Sequence, residues 1–166
     1  MKAEKYRLLI GTLVFFGSAI YFLNQGVNFS VTSHEEVLKI DVKIKQIVEK
    51  PSKRKQTLHY VFYCQDFDNE FFISPNYTKL FKKQSLEIHL NENSNLTFKI
   101  GIKRSAKSAL NTQQRINVYS IETPNDYYLN LNRVIKKNKG LRVFQLIVGV
   151  VFLIVGVFCF LKLKSY

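Results

Sequence analysis

Two uncharged apolar segments, residues 8–23 and 143–161, stand near opposite ends of this 166-residue chain, and the polar sequence lies between them. At about 1.5 Å per residue they make helices of roughly 24 and 28 Å, against a hydrocarbon core of about 30 Å. In lipid, an open chain satisfies its backbone N–H and C=O groups only as a helix. The expected architecture is therefore two terminal transmembrane helices, over 8–24 and 143–161, around one inserted domain. About 117 residues remain between them, enough for one compact domain and too few for two.

Charge speaks to orientation. Lys2, Lys5 and Arg7 precede the first segment, while residues 24–38 hold no basic side chain. That asymmetry puts the N-terminus in the cytoplasm and the domain outside. The second segment argues the other way, with Arg133, Lys136, Lys137, Lys139 and Arg142 before it and only Lys162 and Lys164 after it. The first helix usually dominates and long loops translocate largely regardless of charge, so an extracytoplasmic domain with both termini inside is expected. Residues 18–22 offer no small-x-small cleavage site, which makes the first segment an uncleaved signal anchor.

Within the segments, small residues recur at a spacing of seven, Gly11 with Ser18 and Gly149 with Gly156. Gln145, Gly149, Phe152, Gly156 and Cys159 follow steps of four and three, one face of a helix in left-handed packing. The pattern predicts an antiparallel hairpin with Gly11, Ser18, Gln145, Gly149 and Gly156 at its seam. Neither segment carries an ionisable group of the kind that marks an ion path, so a multi-copy channel is only an alternative.

Residues 37–49 alternate Leu38, Ile40, Val42 and Ile44 with Lys39, Asp41, Lys43 and Lys45, the period of a half-buried strand. Pro51 and the basic run after it end that strand. Further strands are expected at 57–65, 71–74, 86–90, 96–103, 116–122 and 127–131, with a helical turn within 75–84. Six or seven short strands make a mostly antiparallel all-β domain, a small barrel or sandwich. Three strands, a helical turn and then further strands resemble the element order of an OB-type barrel. Residues 132–142 are expected to form a basic linker helix, followed by a tail at 162–166. The whole layout is similar to small bacterial membrane proteins that carry a β-domain between two terminal helices.

The net charge is +13, and residues 24–142 hold 20 of the 25 basic and 11 of the 12 acidic side chains. Such a balance favours anionic neighbours. Lys53, Arg54, Lys55, Arg133, Lys136, Lys137, Lys139 and Arg142 are the expected contacts with an anionic surface, each worth about 1 kcal/mol beside lipid head groups. Tyr60, Tyr63, Tyr77 and Tyr119 near basic stretches suggest a nucleic-acid surface, but an external domain would meet no nucleic acid, and core aromatics explain them more simply.

Chemistry-bearing motifs are sparse. His34, His59 and His89 stand apart, without a second ligand at metal-binding spacing. Asp66, Asp68, Asn69 and Glu70 open like a calcium loop, yet Phe71 and Tyr77 occupy the positions that need Gly and Glu. Cys64 and Cys159 lie in different parts of the chain and form no disulfide framework. Asn28, Asn76 and Asn95 begin glycosylation sequons, which matter only in a glycosylating secretory pathway. No nucleophile elbow, P-loop, dinucleotide fingerprint or zinc-protease motif occurs. No cofactor is expected. The chain reads as a non-catalytic membrane protein that binds a protein partner, a second copy of itself or an envelope surface, for example as an immunity or accessory protein.

Overall fold

A computed structural model describes residues 2–27, 31–51, 58–93 and 96–165. It divides into two compact units, residues 1–30 with 137–166, and residues 31–136.

The first unit is built from two long apolar helices, α1 (Lys2–Val27) and the greater part of α3 (Leu131–Lys164). The expected linker and second apolar segment are thus one uninterrupted helix. Contacts run antiparallel, from Gly26 against Leu146, through Leu23 against Gly149 and Phe22 against Phe152, to Glu4 near Lys162. On α1 the buried small residues are Thr12, Ala19 and Gly26, a spacing of seven that keeps one seam facing the partner helix. That seam lies one residue beyond the expected Gly11 and Ser18, which are only half-buried. A Cβ added to Gly11 would meet nothing but Phe15 of its own helix, at 4.0 Å.

The second unit holds a six-stranded sheet: β1 (Val37–Pro51), β2 (Leu58–Cys64), β3 (Glu70–Ile73), β4 (Thr97–Lys103), β5 (Arg115–Glu122) and β6 (Tyr127–Leu129). The 15-residue β1 serves two neighbours. Val37 to Lys43 pair with β4 and Ile44 to Pro51 pair with β2, with a bulge between Ile44 and Gln46 where the strand changes partner. β2 continues to β3, and β4 continues to β5 and then β6, all antiparallel. β3 also pairs with β5 in parallel, through Glu70 to Phe72 and Arg115 to Asn117. The pairings from β3 through β2, β1, β4 and β5 therefore return to β3.

Between β3 and β4 lie a 3₁₀ turn at Pro75–Leu80 and the helix α2 (Lys83–Glu92). The strand expected at 86–90 is thus helix. Leu86 and Leu90 are four apart, and a helix brings both toward the core, with Leu86 fully buried. Phe62, Phe71, Phe98, Ile100, Ile121 and Leu129 fill the interior, and the first turns of α3 add Leu131, Val134 and Ile135. At the β4–β5 bulge, Gly101 has no room for a side chain, since a Cβ would strike the Ser120 hydroxyl and Val37.

Candidate binding face

Side chains alternate across a strand, so the residues between the core positions of β1, β2, β3 and β5 share the opposite, outward face. Register puts Gln46, Tyr63, Glu70 and Arg115 in one row across four strands, and Val48, Val61, Phe72 and Asn117 in the next. Lys50 and His59 pair in a third row. Four strands thereby bring together residues that are up to 69 positions apart in sequence.

Glu70 is the hub. Its Oε1 accepts from Lys50 Nζ at 3.0 Å and from the Tyr63 hydroxyl at 2.9 Å, while Lys50 Nζ also donates to Tyr63 Oη at 3.1 Å. Its Oε2 accepts from Arg115 Nη2 at 3.1 Å. Hydrogen bonds from Lys50, Tyr63 and Arg115 pull the Glu70 carboxyl down to about 2, and the bonds to Tyr63 and Glu70 raise the Lys50 ammonium above its ordinary value. The Arg115 guanidinium lies over the Phe72 ring, 4.9 Å from its centre, and His59 meets the same ring edge-on at 4.9 Å. Val61 has no exposed surface although it lies outside the core cluster, so this outward face is itself packed.

Asn69, 1% exposed, fixes the approach to β3. Its Nδ2 donates to the carbonyls of Ala109 and Gln114 at 2.9 and 3.0 Å, and its Oδ1 accepts from the Asn111 amide at 2.8 Å. The calcium-like stretch is therefore a turn anchor: Asp66 accepts from the Lys43 amide and Glu70 belongs to the outward cluster. Among the described residues no group of three His, Cys, Asp or Glu side chains is placed to hold a metal.

Other expected residues are dispersed. His34 is exposed and His89 Nδ1 lies 2.7 Å from the Tyr128 hydroxyl. Burial pushes the Cys64 thiol up to about 12, which makes it a poor nucleophile. Gly149 and Gly156 face Leu23 and Phe15 in the helix pair, and the Gln145 Oε1 is buried there without a hydrogen-bond partner. Arg133, Lys136, Lys139 and Arg142 are exposed, and Lys137 is half-buried. Lys53, Arg54 and Lys55 lie outside the described residues. A cavity of about 410 Å³ beside the β1 bulge is lined by Gln46, Gln65, Glu87 and Asn91 among others.

No protein-family model matches the chain, and comparison with curated proteins and with solved structures gives no match.

Proposed function

We propose that this protein is a non-catalytic membrane anchor for a closed OB-like barrel, whose outward β1–β2–β3–β5 face binds an acidic segment of another protein. The observation that carries the membrane anchor is where apolar side chains meet solvent. The sheet unit exposes Leu58, Ile88 and Tyr127 as its large hydrophobics among the described residues, whereas the helix pair exposes Ile10, Leu13, Ile20, Phe144, Ile147, Ile154, Phe158 and many more. Such a surface is costly in water and at home in lipid.

Strand pairings that return to their start support the barrel reading, and the helix between the third and fourth strands suits the OB-type order. In the antiparallel pair the start of α1 and the end of α3 lie together, which collects Lys5, Arg7, Lys162 and Lys164 on one side of the bilayer. The positive-inside tendency then favours a cytoplasmic location for that end and an extracytoplasmic barrel. At 100° per residue Arg133, Lys136, Lys137, Lys139 and Arg142 cover more than half of the helix circumference and leave free the side that holds the buried Val134 and Asn138.

Charge complementarity favours an acidic partner. Lys50 and Arg115 outnumber Glu70, and the exposed Arg115 has five N–H donors of which Glu70 takes two, at Nε and Nη2. The half-buried Tyr63 and Phe72 rings add the aromatic character common at protein interfaces. The test is capture of the tagged full-length protein in mild detergent, beside Lys50→Glu and Arg115→Glu. A partner that is lost from both variants and released by raised salt supports this function; recovery of the protein alone counts against it.

A further inference from the structure

His59 sits in the outward face with 8% of its surface exposed, and neither ring nitrogen has a hydrogen-bond partner. Its ring stands at 67° to Phe72. The charged and titratable groups around it come from every strand of the face: Lys50 opposite it on β1, Tyr63 along its own strand, Glu70 on β3 and Arg115 on β5. The next basic residues in sequence, Lys53, Arg54 and Lys55, lie outside the described residues.

A neutral imidazole in this seat leaves one N–H donor and one lone-pair nitrogen without a partner, and its ring still packs as an aromatic. An imidazolium would bury two unpaired donors and a charge between two cations. Glu70 is the one carboxylate in the cluster, and Lys50, Tyr63 and Arg115 already occupy it.

We propose that His59 is an acid-operated latch on this face: neutral, it is seated on Phe72 and keeps the face closed over Val61; protonated, it leaves for solvent and the face opens. Burial first, then the charges of Arg115 and Lys50, hold the seated imidazole below its ordinary value of 6.5. An imidazole released to water titrates at that ordinary value. Above pH 6.5 neither form is charged and the seat is fully favoured. As the pH falls below 6.5 the released form takes up a proton first, so closure is progressively lost down to the lowered value. Glu70 stays ionised through that window, since its carboxyl titrates near 2. The latch regulates the proposed partner site and rests on that function for its purpose, though not for its operation.

The test is an NMR titration of the full-length protein in detergent, without any partner, following the His59 ring and the Val61 methyl groups. The ring is expected to titrate below 6.5, the Val61 methyls to shift with the same midpoint, and His59→Phe to abolish that shift. A ring midpoint at or above 6.5, or Val61 methyls that do not follow it, overturns the latch, as does an unchanged shift in His59→Phe. If His59→Phe does not fold, the two wild-type midpoints decide alone. Failure here leaves the capture experiment untouched, and failure of capture leaves this titration untouched.

Discussion

Leu23 of α1 lies against Gly149 of α3 so closely that a Cβ on Gly149 would come 2.8 Å from the Leu23 Cγ and 3.1 Å from its amide nitrogen. A larger residue there must push the helices apart, because backbone cannot yield as a side-chain tip can. Gly149→Leu is therefore predicted to loosen the pair. Cysteines at positions 26 and 146 should form a disulfide readily in the parent and poorly with Gly149→Leu present. Equal crosslinking in both would mean that the helices do not pack through Gly149.

Asn69 ties the loop around Asn111 to the start of β3 with three hydrogen bonds from one buried amide. Asn69→Ala removes all three, while the Ala109 carbonyl keeps Thr112 as a donor, and the cost is about 1–3 kcal/mol. The check is the midpoint of chemical unfolding, followed by a probe of the sheet.

Glu70 gives the fold an acid limit of its own. With its carboxyl at about 2 against an ordinary 4.5, the stabilisation it supplies is complete above pH 4.5 and is lost as the pH falls toward 2. Glu70→Gln should be less stable than the parent at neutral pH, and the gap should close across that window. Thermal melting at stepped pH measures it, and a gap independent of pH would dismiss the Lys50–Glu70–Arg115 cluster as a source of stability.

Gly101→Ala places a methyl group where the Ser120 hydroxyl and Val37 already sit. Overpacking of this kind costs about 1–3 kcal/mol. Adding Ser120→Gly to Gly101→Ala should recover part of the loss, and a double variant no more stable than the single one would place the strain elsewhere.

Much of the fold is legible in sequence where a pattern has one periodic interpretation. The strict alternation from Leu38 to Ile44 admits only a strand, and it is the first half of β1. Residues 86–90 admit two: Leu86, Ile88 and Leu90 alternate as a strand would, yet Leu86 and Leu90 also share a helix face. Ile88 is exposed, and packing of Leu86 decided for α2. On α1 the choice between Gly11 with Ser18 and Thr12 with Ala19 turns on one residue of helix rotation, about 100°, in a segment apolar on every side. The candidate face was hidden for another reason. His59, Val61 and Tyr63 form a visible period of two, but their meeting with Glu70, Phe72 and Arg115 depends on strand register, which local pattern does not encode.

The most direct test of an anchored, outward-facing barrel is labelling of Asn125→Cys, in the exposed turn before β6, by a membrane-impermeant maleimide. Of the two native cysteines Cys64 is buried with its thiol at about 12, and the half-buried Cys159 is replaced by Ser, so the Cys159→Ser protein serves as the unlabelled control. Labelling of intact cells is predicted. Labelling that appears only after the membrane is opened would contradict the account.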